Sequence, residues 1–346
     1  MKAAVVYHAG EKPVYADFPE TQTDDNSVMV TVSAAAMSQL AKARAAGTHY
    51  SAASTYPFIA GIDGTGHLSS GAPVYFLAFS SPWGSMAEKT WVASDSIVPL
   101  PATLDPVLAA AIANPGMSSW AALTRRAHFQ KGETVLINGA TGTSGGLAVR
   151  IARQLGAGKI IATGRNHQAL EKLYAEGADI TLSLESLPAA LPALMAEGID
   201  VVLDYLWGQS ALDIMTAAVV RGEKAVRFVQ IGSLSGQEIS LHSKLLRSSG
   251  LTLIGSGLGS VSQAGLIASI GELLQAAAAG NFSVPFQQRP LSEVNQAWDE
   301  DDTPSCTGFG NRTQYGTVWK STEFGIRTAS KIRRLCPGSE TEPLRT

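Results

Sequence analysis

The run from Thr134 to Leu147 constrains this chain more than any other stretch. Thr134–Asn138 is a short, β-branched and apolar strand candidate. A glycine turn follows with the spacing Gly139-x-x-Gly142-x-x-Gly145, and an apolar-periodic helix, Gly145–Leu155, leaves it. Strand, turn and helix in that order commit the region to βαβ units and a parallel sheet. Glycine suits such a turn because the backbone must bend tightly and approach a pyrophosphate closely. The helix N-terminus then offers N–H groups and the positive end of its dipole to that anion. Gly139, Thr141, Gly142, Thr143, Ser144 and Gly145 are therefore the candidate dinucleotide-binding turn. A merely structural glycine turn is the competing reading, and the strand before and helix after weigh against it.

The texture elsewhere divides the 346 residues in two. Before about Asp105 the chain reads as short strands broken by turns, with Lys2–His8, Val28–Ala34 and Ser85–Val92 the clearest. After it, helices such as Gln168–Glu176 alternate with the strands Lys159–Thr163, Val201–Asp204 and Arg227–Ile231. A stretch from Phe282 to Asp302 is strand-like again and is expected to return to the first domain. Apolar residues make up 45% and charged residues 16%, which excludes a disordered chain. A net charge of −3 argues against broad electrostatic binding of nucleic acid. The two cysteines, Cys306 and Cys336, exclude a disulfide framework. No uncharged run is long enough for a membrane span, and no signal peptide is read at Met1–Val6, so a cytoplasmic protein is expected.

The second strand of the parallel unit ends in Gly164, Arg165 and Asn166. An acidic residue near this point grips the ribose 2′-hydroxyl in NAD sites. Arg165 stands there instead, and a guanidinium pairs with a 2′-phosphate that a carboxylate would repel. The expected cofactor is NADP(H), a solvated loop arginine being the alternative. Further along, Tyr205 and Trp207 follow a strand end and could wall the nicotinamide pocket or simply pack.

With these residues assembled, the chain resembles the medium-chain dehydrogenase/reductase superfamily, in its zinc-free quinone oxidoreductase-like branch. The markers are the Met1–Val5 start, Pro57-Phe-Ile-Ala-Gly61-Ile-Asp63-Gly64-x-Gly66, Asn114-Pro-Gly-Met-Ser118, and the glycine turn. The resemblance covers about residues 1–302. It implies a GroES-like β-rich catalytic domain plus a Rossmann doubly wound domain, with the active site between them. The expected divisions are 1–112 (catalytic), 113–260 (NADP-binding), 261–302 (return to catalytic) and 303–346 (a tail outside the resemblance). That tail holds seven Lys+Arg against three Asp+Glu and both cysteines, and reads as a disordered or non-native appendage or as a basic arm. The resemblance also implies that Ser118, Gly232, Ser233 and Gly257 line the cofactor and that the chain is a homodimer.

Zinc-dependent relatives carry a Cys near the fortieth residue and a Gly-His-Glu motif. Here those regions read Met37-Ser38-Gln39 and Gly61-Ile62-Asp63, so no metal is expected. Zinc-free relatives carry an Asn and a Tyr where this chain has Ser38 and Ala43. The candidate proton donors are then His49 and Tyr50, with Ser38 and Lys42 weaker and water an alternative. The expected reaction is hydride transfer from NADPH to a quinone or similarly activated small acceptor. A 2-alkenal or enoyl reductase, or a non-catalytic NADPH-binding protein, are the rival readings. A short-chain dehydrogenase is excluded, since no tyrosine has a lysine four residues later.

Overall fold

The computed structural model describes residues 1–21, 25–49, 51–52, 55–280, 282, 284–300 and 316–320. In chain order the first region contains β1 (Lys2–Val6), β2 (Val14–Asp17), β3 (Ser27–Met37), helix α1 (Gln39–Ala45), β4 (Phe58–Ile59), β5 (Asp63–Leu68), β6 (Pro73–Leu77), β7 (Lys89–Ala93) and β8 (Ile97–Pro99). Helix α2 (Pro106–Ala121) follows. The second region runs β9 (Thr134–Asn138), α3 (Thr143–Leu155), β10 (Lys159–Gly164), α4 (His167–Ala175), β11 (Ile180–Ser183), α5 (Leu187–Glu197), β12 (Val201–Asp204), α6 (Gln209–Ala217), β13 (Ala225–Gln230), α7 (Ser243–Arg247) and β14 (Gly250–Gly255). Then come α8 (Gln263–Ala279), β15 (Phe286–Pro290), α9 (Val294–Glu300) and β16 (Gly316–Lys320).

The second region is a six-stranded, all-parallel sheet in the order β11-β10-β9-β12-β13-β14. Its central strands are buried on both faces, which is why Val135–Ile137 and Val201–Leu203 are continuous apolar runs rather than alternating ones. The strand order reverses beside β9, and ligands of open α/β sheets bind outside the carboxyl ends of the strands at such a point. The first region holds a small antiparallel sheet, β2-β1-β4, and a larger sheet in the order β15-β16-β3-β5-β6-β8, with β7 also on β3. A register shift between Val32 and Ala34 bulges β3 against β5.

Helix α2 joins the two sheets. Asp105 caps it by accepting from the Val107 amide, and Pro106 occupies a first-turn position where no N–H is needed. It has no polar stripe because it is enclosed. Ala110 and Ala111 pack with Ala34 of β3, while Ala109, Ile112 and Ala113 belong to the core under β9 and α3. Gly116 lets α8 approach, since a Cβ there would lie 2.7 Å from Leu273 Cδ2.

Two expectations about the later residues change. The strand-like stretch after Phe282 gives only one strand, β15, and then turns into α9. Val294, Ala297 and Trp298 recur with helical spacing and bury together against the first region's core. Within the stretch read as a tail, Gly316–Lys320 is a strand, parallel to β15 and antiparallel to β3. These five residues are part of the larger sheet rather than an appendage; Cys306 and Cys336 lie outside the described residues. No helix among the described residues is long and apolar enough to cross a membrane.

Candidate functional site

The glycine turn sits between β9 and α3, at the carboxyl edge of the parallel sheet, and its glycines are required by contact. Gly139 has φ +91°, and a Cβ on it would lie 2.8 Å from Leu206 Cγ. A Cβ on Gly145 would lie 2.3 Å from the Gly139 carbonyl oxygen. Gly142 is the N-cap of α3 and has no side-chain acceptor with which to close the first helical turn. This leaves a cradle of backbone suited to an anion at the helix N-terminus. Thr141, Thr143 and Ser144 flank it, and Gly164 of β10 comes so close to Thr141 that a Cβ would lie 2.3 Å from its Cγ2.

A buried polar network that sequence reasoning missed holds this edge in place. Asn138, at the end of β9, donates from Nδ2 to Asp204 Oδ1 (2.8 Å) and Ser210 Oγ (2.9 Å). Thr163 donates to Asn138 Oδ1 (3.0 Å). The Asp204 carboxylate accepts from the amides of Leu206 (3.2 Å) and Trp207 (3.1 Å), fixing the turn after β12, where Trp207 has φ +60°. Burial lifts the Asp204 carboxyl to about 6, against the opposing pull of the hydrogen bonds from Asn138, Leu206 and Trp207. The strand ends of β9, β10 and β12 are thus tied to one another below the cradle. The only sequence signal was a polar residue at the end of each apolar strand.

Other expected cofactor residues lie along the same edge in different states. Arg165 is exposed and makes no ion pair among the described residues. Asn166 is occupied as the cap of α4, accepting from the Ala169 amide at 3.0 Å. Ser118, on α2, donates to the Pro115 carbonyl at 2.7 Å. Gly232 and Ser233 follow β13, and a Cβ on Gly232 would lie 2.7 Å from the Tyr205 carbonyl oxygen. Gly257 closes an exposed turn after β14 with Ser260, whose Oγ accepts its amide at 2.8 Å. Tyr205 and Trp207 part company. Tyr205 is buried in the core shared with Met117 and Trp120, and its hydroxyl completes no hydrogen bond among the described residues; burial, opposed by the nearby Ser118 and Ser119 hydroxyls, pushes that phenol to about 12. Trp207 packs edge-on against Phe228 in the core on the other face of the sheet.

The expected proton donors lie in the first region, around α1. Ser38 is the N-cap of α1, its Oγ accepting from the Ala41 amide at 3.1 Å. Lys42 donates to the Trp298 carbonyl at 2.9 Å, which anchors α9. His49 has its Nδ1 2.8 Å from Ser51 Oγ, and burial, then the nearby Arg44 charge, lower its pKa. Tyr50 lies outside the described residues. Asp63, in the Gly61-Ile62-Asp63 segment, is fully buried and accepts from the Tyr75 hydroxyl at 2.9 Å, while its Oδ1 has no partner among the described residues. Among the described residues no group of three or more His, Cys, Asp or Glu could hold a metal ion.

A switch-point glycine cradle on a parallel sheet, joined through a buried helix to a β-rich region, defines a two-domain dinucleotide-dependent oxidoreductase. Comparison with known proteins agrees. The zinc-binding dehydrogenase family profile matches residues 145–277. A probable NADPH-dependent quinone reductase of Emericella nidulans is 29% identical over 338 residues, covering 84% of this chain and 94% of its own length. The quinone oxidoreductase of Thermus thermophilus superposes with a TM-score of 0.74 at 25% identity, covering 92% of this chain and all (100%) of that one. A probable oxidoreductase of Mycobacterium abscessus does so at 0.73 and 27%, covering 92% and 99%. The chain is thus similar to quinone oxidoreductase-like members of the medium-chain dehydrogenase/reductase superfamily.

Proposed function

We propose that this protein uses NADPH to reduce a quinone or similarly activated small acceptor, without zinc. The observation that carries the cofactor assignment is the cradle itself, in which side chains are missing where a pyrophosphate must approach. The residues fit NADP(H). Gly139–Gly145 would hold the pyrophosphate, and Arg165, exposed and without an ion pair among the described residues, would meet the 2′-phosphate. Gly232 and Ser233 would face the ribose, and Ser118 and Gly257 the nicotinamide end. Bound NADPH supplies the hydride. The names of the Emericella nidulans and Thermus thermophilus relatives support both the cofactor and the acceptor class.

Zinc independence is supported by the residues at the zinc-ligand regions. Met37 and Ile62 are apolar, and Asp63 is already engaged with Tyr75. An electron-poor acceptor needs little acid assistance, so positioning supplies most of the rate. Tyr50 is the favoured proton donor, because burial and Arg44 disfavour the charged form of His49 and Ser38 is committed to its cap. A cytoplasmic homodimer remains part of this reading, and β14 is an edge strand that exposes Leu253. A monomer in sedimentation would remove the dimer alone.

The test is NADPH oxidation with a panel of quinones, enones and alcohols, before and after chelation. Arg165→Asp is expected to weaken NADPH binding about 10- to 100-fold while changing NADH binding far less. Equal effects on both cofactors would take Arg165 out of the 2′-phosphate site. Turnover confined to alcohols and lost on chelation would overturn the reaction class.

A further inference from the structure

The turn after β12 touches two expected cofactor segments at once. On one side Leu206 lies against Gly139, so that a Cβ on Gly139 would meet Leu206 Cγ at 2.8 Å. On the other side the backbone carbonyls of Asp204 and the turn hold the segment after β13. The Asp204 carbonyl accepts from the Ile231 and Gly232 amides at 2.8 and 3.1 Å, and the Leu206 carbonyl accepts from the Ser235 amide at 2.7 Å. Gly232 sits directly on the turn, since a Cβ there would lie 2.7 Å from the Tyr205 carbonyl oxygen. A shift of this turn therefore reaches both the pyrophosphate cradle and the residues expected to face the ribose.

Backbone preference alone does not hold the turn in place. Trp207 has φ +60°, a left-handed conformation that is unfavourable for a bulky residue. The Asp204 side chain offsets that cost. Its Oδ2 accepts the Trp207 amide at 3.1 Å, and its Oδ1 accepts the Leu206 amide at 3.2 Å and Asn138 Nδ2 at 2.8 Å. Every one of these partners is a donor, so together they favour the ionised, acceptor-only carboxylate. Burial opposes the charge, because Asp204 has no solvent contact and no cation among the described residues pairs with it. The side chains around it are Asn138 of β9, Thr163 of β10, its register partner Gln230 of β13 and Ser210 of α6, and none of them titrates. Asp213 of α6 is engaged by Gln209 at 2.8 Å. The balance puts the Asp204 carboxyl at about 6. A proton on Oδ2 takes away the acceptor that holds Trp207, and the turn is then free to relax toward an ordinary φ.

We propose that ionised Asp204 is a positioning residue for the dinucleotide: by gripping the Leu206 and Trp207 amides, its carboxylate sets the Gly139 and Gly232 turns at the spacing that the pyrophosphate and ribose require. This rests on the dinucleotide reading of the cradle. The test uses ADP-ribose, which carries the pyrophosphate and ribose but lacks the 2′-phosphate, a group that itself titrates at about pH 6. Calorimetry reads its affinity, and the protons exchanged on binding, from about pH 5 to about pH 8. In the wild type, affinity is expected to fall about tenfold as the pH drops across that range. Binding near the middle of the range should release protons, because the ligand draws Asp204 into its ionised form. Asp204→Asn, isosteric and never charged, is expected to bind about tenfold more weakly at the alkaline end, to approach the wild type at the acid end and to lose that proton release. A packing role alone would weaken binding equally at every pH and leave the proton release unchanged, which overturns the proposal. Should Asp204→Asn fail to fold, Asn138→Ala serves instead. It removes one donor to the carboxylate and is expected to move the proton release to higher pH. Release that does not move, or a wild type that releases no proton, overturns the proposal. ADP-ribose that fails to bind the wild type at any pH would defeat the dinucleotide reading itself, and the proposal with it.

Discussion

Asp63 and Tyr75 form a carboxyl–phenol pair with no solvent contact, at the point where β5 and β6 meet the buried helix α2. Burial raises the Asp63 carboxyl to about 7, against the pull of the Tyr75 hydrogen bond. In the unfolded chain it returns to the ordinary value near 3.8. The folded form therefore holds its proton more tightly. The stability this supplies is full below about pH 4 and is lost as pH rises through about 7. Asp63→Asn stays neutral throughout. The gap between wild-type and Asp63→Asn melting temperatures should move in the mutant's favour across that interval. A gap independent of pH would mean that the carboxyl is ionised in the folded protein. The sequence marks Asp63 only as a residue that is not a zinc ligand. Its burial depends on α2 closing over the sheet, which no local pattern records.

At the scale of elements, the turn from β9 to α3 was legible because its chemistry is local. Glycine spacing, the strand before it and the helix after it sit within one short run. The separate needs of neighbouring glycines were not legible. Gly145 faces backbone, the Gly139 carbonyl, whereas a Cβ on Gly146 would meet nothing nearer than the Ala140 carbonyl oxygen at 3.6 Å. Gly145→Ala should then destabilise the protein by about 1–3 kcal/mol and weaken dinucleotide binding at least about tenfold. Gly146→Ala should be neutral, or stabilise by up to about 1 kcal/mol through helix propensity. Paired denaturant melts and dinucleotide titrations check both, and similar losses in the two variants would refute the backbone-clash argument. Helix α9 was hidden for a different reason. Its apolar residues Val294, Ala297 and Trp298 span a single helical turn, too short to establish a period beside the preceding strand.

At the scale of the whole molecule, β16 is what sequence reading could not place. Its neighbours β15 and β3 are remote in sequence, and a five-residue strand in a stretch of scattered charge gives little local signal. Its pairing with both neighbours makes it an internal strand of the larger sheet. Removing it exposes the β3 edge at Ala34–Met37, immediately before α1 with Ser38 and Arg44. A chain ending after residue 320 is expected to melt well above one ending after residue 300, because only the longer chain can pair β16 with β15 and β3. Equal melting temperatures would show that β16 adds nothing to the fold.

Synthesis from the N-terminus imposes an order on these two sheets. All strands of the parallel sheet have emerged once β14 is made, so the nucleotide cradle can form while β15 and β16 are still to come. During that interval the Ala34–Met37 edge of β3 has donors and acceptors but no neighbour, and unpaired edges are where chains join one another. A nascent chain would thus acquire its nucleotide-holding half first and pass through a stage with an open β edge on the larger sheet. Bound dinucleotide would stabilise the finished half but leave that edge bare, so the period of greatest risk ends only when the strand at 316–320 arrives.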